Sequence, residues 1–598
     1  MNVGCHRVSV STFVIMLLSL FLSGCGGGES QAAAENQTAG RFAAAAATQV
    51  IPEGDLDCPE GGILVETGID ENGNGVLDPS EVDDTHKVCN GEAGKRGVPG
   101  QQGSRGEDGL TAMVSLERAS EAPTCPAGGV RIDAGLDLDR NGVLETDEIS
   151  TTRYVCDGGG DEKIKGAWQD PMAVEFSSSG NDAHPVMAMN GAGNAVSAWV
   201  SGAFPDAVLK ASYFDIDAGR WNVPVSLTLN MVNIHDYDVA IDGEGSAWVV
   251  WPEGDEIRAQ RYLPDEERWD VSQVLGDGNN PVITANDRGE VVAAWIRDEG
   301  STVRLLTTRY VPGTGSWSSE TEVTSGTTLA SWGSLALAMN ETGDAVLVWE
   351  QGTGFRWDIW SAYYNVADSS WSPPVALSEN NASESTDGSH VAMDDSGNAI
   401  VVWEQDLLES RQVGVDEGGN PIMVWDTVGV RLWARSYDVA SGAWRAPHLL
   451  EDNAPEASAW LSRLVMNGNG DAAVAWTVDS TANPGSSQAW MATYHFHTGW
   501  SAPRPLGQNS WGGVLDINAN GDIIVVWNEF DGMRTHIWSD FWQSAAGWEG
   551  ASRVENESVG HFAEDVGLDD SGSAMVVWQW RDGESGGHIM SSRRLASP

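Results

Sequence analysis

Eight times the chain writes the same pattern: Asp or Asn, two residues, Gly, five residues, Trp. The acidic or amide positions are Asn190, Asp242, Asn286, Asn340, Asp394, Asn467, Asn518 and Asp569. The matching tryptophans are Trp199, Trp251, Trp295, Trp349, Trp403, Trp476, Trp527 and Trp578. One copy, VAMDDSGNAIVVW (391–403), reads as two short strands joined by a tight turn, because apolar residues flank an Asx-x-x-Gly core. Self-similarity at such a period is the mark of an array closed or stacked on itself.

Each repeat adds a third strand, such as IWSAYY (359–364) or RLWARSY (431–437), and then a second Trp that opens a fourth. These second anchors are Trp168, Trp221, Trp269, Trp317, Trp371, Trp444, Trp500 and Trp548. Four short strands per unit are propeller blades. The expected fold is therefore mainly β: an eight-bladed β-propeller over 161–598, with both Trp series packing blade on blade. The array opens on a fourth strand and closes on a third, HIMSSRRL. The first piece is thus expected to complete the last blade and remove exposed edges.

The turn resembles the Asp-box of sialidase-like propellers and the tryptophan-docking repeat of eight-bladed quinoprotein dehydrogenases, with different spacing from both. No adjacent cysteine pair appears. The resemblance, to sialidase-like propellers in the broad sense, implies a fold and no activity.

Ahead of the array the sequence divides differently. Residues 1–24 carry Arg7, an apolar run and small residues, the form of an export signal. LSGC at 22–25 resembles the bacterial lipobox, which implies lipidation at Cys25, and Gly26 implies the outer membrane, on its periplasmic or cell-surface side. Residues 25–53 are rich in Gly, Ala and Gln and read as a flexible tether.

Two duplicated modules follow, at 54–90 and 111–160. Cys58 and Cys89 lie as far apart as Cys125 and Cys156. In an exported chain such cysteines form disulfides, and the duplication favours Cys58–Cys89 and Cys125–Cys156 among three pairings. A zinc site is the alternative, without close ligand spacing to support it. Inside each module an acidic loop resembles the EF-hand loop. Asp70, Asn72, Asn74, Val76 (through its carbonyl), Asp78 and Glu81 stand at the ligand positions of the first. Asp137, Asp139, Asn141, Val143, Glu145 and Glu148 do so in the second. A hard cation wants such oxygens, and Gly75 and Gly142 allow the sharp turn. Structural Ca2+ is expected, not a switch, because the flanks are β-rich. The modules also resemble small uncharacterised modules of bacterial lipoproteins. Between them, 91–110 carries Gly at every third residue from Gly91 to Gly109, a short collagen-like spacer.

Charge narrows the partners. With 87 acidic against 33 basic side chains, net −54, the chain is no nucleic-acid binder. The membrane enters through a lipid anchor only, and a monomer is expected. Candidate ligand residues are the His or Trp that precede several first strands: His184, His235, Trp332, His390, Trp460, Trp511 and His561. Placed in a ring they would form a rim for a glycan or a peptide. The connections at that end vary in length, and the fifth repeat is stretched by an extra hairpin turning at Gly418, Gly419, Asn420 and Pro421. Acidic and amide residues after the inner Trp, such as Glu350 and Glu404, raise the rival reading of a glycoside hydrolase. A third reading is a purely structural envelope scaffold.

Overall fold

A computed structural model describes strand segments between 43 and 156, with Leu144, and residues 166–596 apart from short loop stretches, among them 229–235, 327–333 and 416–420. The described residues form two units, Met1–Asp161 and Glu162–Pro598.

The first unit holds two three-stranded antiparallel sheets built alike. In one, Ala43–Ile51 pairs with Gly62–Asp70, which pairs with Val82–Cys89. In the other, Thr111–Ala119 pairs with Gly129–Asp137, and that with Ile149–Cys156. The tether expected over 25–53 therefore ends earlier than its composition suggests. Ala43–Ile51 is the first strand of the first module, held along its whole length by Gly62–Asp70. Alanine and glutamine are poor strand formers, but a complete ladder of backbone bonds overrides a weak local preference. Asp70 and Asp137 end the middle strands at equivalent places, as Cys89 and Cys156 end the third strands opposite Gly62 and Gly129. Apart from the backbone of Asp70 and Asp137, the expected calcium ligands lie outside the described residues. So do Cys25, Cys58, Cys125, the signal segment and the collagen-like spacer.

The second unit is a propeller. Each repeat runs first, second and third strand antiparallel, as in Asp182–Met189, Ala195–Ser201 and Val208–Asp215. Two short outer pieces, Arg220–Trp221 and Val225–Ser226, pair with the third. The first strands of successive repeats touch one another around the ring, and His561–Leu568 of the last returns to Asp182–Met189 of the first. The first strands therefore line a central channel. Strand pairing also closes the ring: Met172–Ala173 pairs with Gly587–Arg594, and Trp168 bridges to Arg594.

The repeated pattern has a local cause. In all eight copies the Asx side chain accepts the backbone N–H four residues on, for example Asn398 N to Asp394 Oδ1 at 2.8 Å and Asp522 N to Asn518 Oδ1 at 3.0 Å. The Gly three residues on has φ between 79° and 96° in every copy, a region costly for any Cβ. Four of the Asn turns also donate Nδ2 to the next turn's carbonyl, as Asn190 does to Asp242 at 3.0 Å. The eight inner tryptophans are at most 2% exposed and fill the seams between neighbouring repeats. The outer Trp are half-buried or buried. Three of them donate Nε1 to a hydroxyl of the preceding repeat: Trp168 to Ser539, Trp221 to Ser591 and Trp371 to Thr307.

The fifth repeat departs from its neighbours. Ala399–Val415 and Pro421–Asp438 form one long hairpin, and Val430 pairs with Ser458 to join the fifth and sixth sheets. Its outer part projects by seven residue pairs beyond Leu407, with Arg411 and Asp426 in an ion pair.

Candidate functional site

The channel has two unlike ends. One is ringed by the Asx turns. At the other, the first strands enter beside the residues that follow the inner Trp. Most first strands carry a β-bulge near this entrance, for instance between Leu461 and Arg463 and between Ala563 and Asp565. A bulge adds one unpaired residue and re-aims its neighbours. Equivalence is therefore set by pairing, not by distance from the turn.

Pairing sorts the expected rim into different places. Trp460 opposes Thr477 and Trp511 opposes Asn528, in each case the residue just after the inner Trp. In the next repeat that register is occupied by Phe562, opposite Gln579, while the expected His561 lies one step further out, opposite Trp580. Phe562 was not signalled by the sequence, because the bulge between Ala563 and Asp565 hides its register. His184 sits in a bulge with φ 55° and is exposed. Its carbonyl accepts the Tyr237 hydroxyl. His235 and Trp332 lie outside the described residues. The seven expected residues therefore do not form one rim among the described residues.

What the structure does assemble at this end is an aromatic arc over the sixth, seventh and eighth repeats. Trp460 is 42% exposed and donates Nε1 to Asp479 Oδ2 at 3.0 Å, which fixes its ring. The rings of Trp511 and Phe562 lie 6.4 Å apart. Phe530, 41% exposed, closes the second strand of the seventh repeat, and its N–H bonds Asn509 O. Met533, on the turn after it, is almost wholly exposed. Large apolar groups held in water on a rigid scaffold mark a contact surface.

The polar residues beside the arc have a different role. Glu404 Oε1 accepts the Leu461 N–H at 2.6 Å, Thr477 Oγ1 that of Gly512, and Asn528 Oδ1 that of Ala563. Gln579 donates Nε2 to Asp182 O at 2.7 Å. Each ties its repeat to the next first strand. Glu350 accepts the Ser334 hydroxyl at 2.9 Å. Glu350 and Glu404, raised above as hydrolytic candidates, are thus braces between strands.

His390 belongs to a separate group, midway down the channel. It opposes Val402 and lies four residues before the turn Asp394, as Asp238, Arg463 and Asp565 do before theirs. Arg463 reaches across the seventh repeat to Asp565, Nη2 to Oδ1, at 3.3 Å. Asp238, Asp516 and Asp565 each accept two backbone N–H bonds. One comes from the residue that follows, and the other from the next first strand: Ile283, Leu568 and Met187 respectively. Burial pushes the Asp238 carboxyl up to about 6 and that of Asp516 up to about 7, against the pull of their N–H donors and of Arg463. Burial and the Arg463 charge bring His390 down to about 4. Lone charges among apolar first strands are costly, so this group persists because one guanidinium serves several carboxylates. The sequence signal was present, since one arginine and two aspartates recur at the position four before the turn. It is masked because the position falls inside each first strand, among apolar neighbours.

Among the described residues no three His, Cys, Asp or Glu side chains are placed to hold a metal ion. The expected Ca2+ ligands lie outside them.

A family model described as a domain of unknown function (DUF7151) matches residues 45–89 and 112–156. Both matches include most of the first strand of each small sheet. No curated protein matches the chain. Several solved structures are similar in fold. A polysaccharide lyase of family PL25, an ulvan lyase bound to a disaccharide unit of GlcA and sulfated Rha, has a TM-score of 0.40 and 10% identity, over 71% of this chain and 94% of that one. The Dos1 propeller has a TM-score of 0.33 and 9% identity, over 67% and 76%. The six-bladed fucose-recognising lectin of Aleuria aurantia has a TM-score of 0.28 and 14% identity, over 56% and 97%.

Proposed function

We propose that this chain is a lipid-anchored binding protein of the bacterial outer membrane, whose eight-bladed propeller takes a glycan chain across its aromatic arc. The observation that carries this reading is the equivalent register of Trp460, Trp511 and Phe562 in three consecutive repeats, with Phe530 beside them. A sugar ring presents C–H groups on one face, and these stack on the electron-rich face of an aromatic ring. Several rings in series suit a polymer, because each sugar unit meets one ring. The bracing role of Glu404 and Glu350 favours binding over hydrolysis. In this reading Cys25 carries the lipid, and Cys58–Cys89 and Cys125–Cys156 are the disulfides. Asp70, Asn72, Asn74, Asp78 and Glu81, with Asp137, Asp139, Asn141, Glu145 and Glu148, hold structural Ca2+ in the two small modules.

The test is a polysaccharide array probed with the full mature chain, products of cleavage being monitored at the same time. One or more polymers should bind without being shortened. Replacing Trp460 and Phe562 together by Ala should weaken that binding at least about tenfold, as expected when two well-packed aromatic contacts are removed. Unchanged binding in the double variant, or depolymerisation by the wild type, would overturn the proposal.

A further inference from the structure

Each outer Trp pairs with a residue of the third strand, and the residue before that partner faces the next repeat. Around the ring these are Tyr213, Arg261, Arg309, Tyr363, Ser436, Thr493, Phe541 and Arg593. Most are large and fill the outer part of the crevice between repeats. Tyr213 stacks on Tyr262 with ring centres 4.1 Å apart, and Tyr363 meets Tyr437 at 5.1 Å. Arg309 lies 4.4 Å over Tyr364, Arg261 5.5 Å over Tyr310, and Arg593 5.8 Å over Phe214. Phe541 lies under Arg594 at 4.2 Å. Several reach the next turn glycine: a Cβ on Gly245 or Gly397 would come within 2.7 Å of a tyrosine hydroxyl. At Ser436 the crevice is filled instead by Arg445, 5.3 Å over Phe496.

At Thr493 the side chain is again small, and Arg504 reaches the next repeat over Trp548 without filling the crevice. At Gly521 a Cβ would find nothing nearer than Asp471, at 3.5 Å. A cavity of about 750 Å³ opens here, between the sixth and seventh repeats on the turn side of the ring. That size falls within the range of small-molecule sites. Trp542 and Trp548 form one wall, with ring centres 5.5 Å apart and half-buried. Arg504 lies 3.9 Å over Trp548 and bonds the buried Asp540 at 2.5 Å, so its charge is matched. Its Nη1 is enclosed and has no acceptor. Thr493, Ser501 and Ser544 add hydroxyls.

We infer that this cavity is a binding site for a neutral saccharide of one or two rings. Indole faces take the apolar side of a sugar, and the hydroxyls and Asp471 take its O–H groups. Arg504 is matched by Asp540, and the His495 ring lies 3.6 Å from Asp471, so the basic side chains lining the cavity already face carboxylates and a neutral ligand is favoured over a phosphate or a carboxylate. The site is separate from the aromatic arc, at the other end of the ring, and is independent of the reading given to the arc.

The test uses the full mature chain and a panel of neutral pentoses, hexoses, deoxyhexoses and their disaccharides, read by saturation-transfer NMR. Adenosine and indole serve as aromatic controls. At least one saccharide should bind. Thr493→Tyr, which places here the residue that fills the equivalent crevice at positions 213 and 363, should weaken that binding more than about tenfold, or 1.4 kcal/mol. It should keep the melting temperature within a few degrees, because the same side chain already fits twice in this ring. Replacing Trp460 and Phe562 by Ala should leave the signal unchanged. Binding that survives Thr493→Tyr, loss of the signal in the arc variant, preference for the aromatic controls, or no binding by any member of the panel would each overturn the inference.

Discussion

The two ends of the channel are built by opposite rules. At the turn end every copy uses the same bond, an Asx oxygen to the N–H four residues on, and the same left-handed Gly. At the entrance end the register after the inner Trp holds a different residue from repeat to repeat, and among the described residues it is aromatic in the sixth, seventh and eighth. Uniformity marks the positions that hold the ring together. Departure from uniformity marks the positions free to meet a ligand, because the scaffold does not depend on them.

That contrast can be broken from its most costly side first. Trp476 fills the seam between the fifth and sixth repeats and is fully buried. Trp476→Ala should destabilise by about 3–5 kcal/mol in chemical unfolding, the range for emptying a large core site. An effect under about 1 kcal/mol would show that the seams are not the main source of stability. Asp565→Ala comes next. It removes the acceptor of two N–H groups and the partner of Arg463. A loss of about 2–3 kcal/mol is expected from the buried donors alone. Gly397→Ala places a Cβ at φ 93° and within 2.7 Å of the Tyr363 hydroxyl. It should cost about 1–2 kcal/mol, and a neutral result would mean the turn is not conformationally constrained.

The smallest effect expected is on pH dependence. The fold holds the protons of Asp238 and Asp516 more tightly than an unfolded chain does. Their contribution is full below about pH 4 and is lost as pH rises through about 6 and about 7. His390 works in the opposite sense. Its contribution is present above its ordinary value near 6.5 and is lost as pH falls towards about 4. Asp516→Asn removes the larger acidic contribution. Going from pH 7.5 to 5, the melting temperature of this variant should fall relative to that of the wild type. Parallel curves would show that Asp516 does not titrate in that window.

Much of this architecture was legible in the sequence. Spacing alone identified the turns, both Trp series and the third strands, because each depends on local chemistry repeated eight times. The entrance was less legible. A bulge shifts pairing by a residue, so His561 looked like the rim residue where Phe562 stands in register. The channel group was missed for another reason: Arg463 and Asp565 meet across an intervening repeat, a contact that no local pattern encodes. Ala43–Ile51 looks like tether because alanine carries no strand signal, and its partner Gly62–Asp70 makes it a strand.

The closing strand has a consequence for how the molecule is made. Ser591 Oγ meets Met172 O across 419 positions of sequence. By loop-closure scaling, joining ends so far apart costs about 5 kcal/mol of chain entropy before any bond repays it. A polypeptide delivered from its N-terminus therefore holds Met172–Ala173 unpaired until Gly587–Arg594 emerges. Throughout that interval Met172–Ala173 presents unpaired backbone groups to whatever lies nearby. A second chain emerging at the same place could lend its own Met172–Ala173 to the wrong ring, so the speed of delivery sets the chance of a swapped pair.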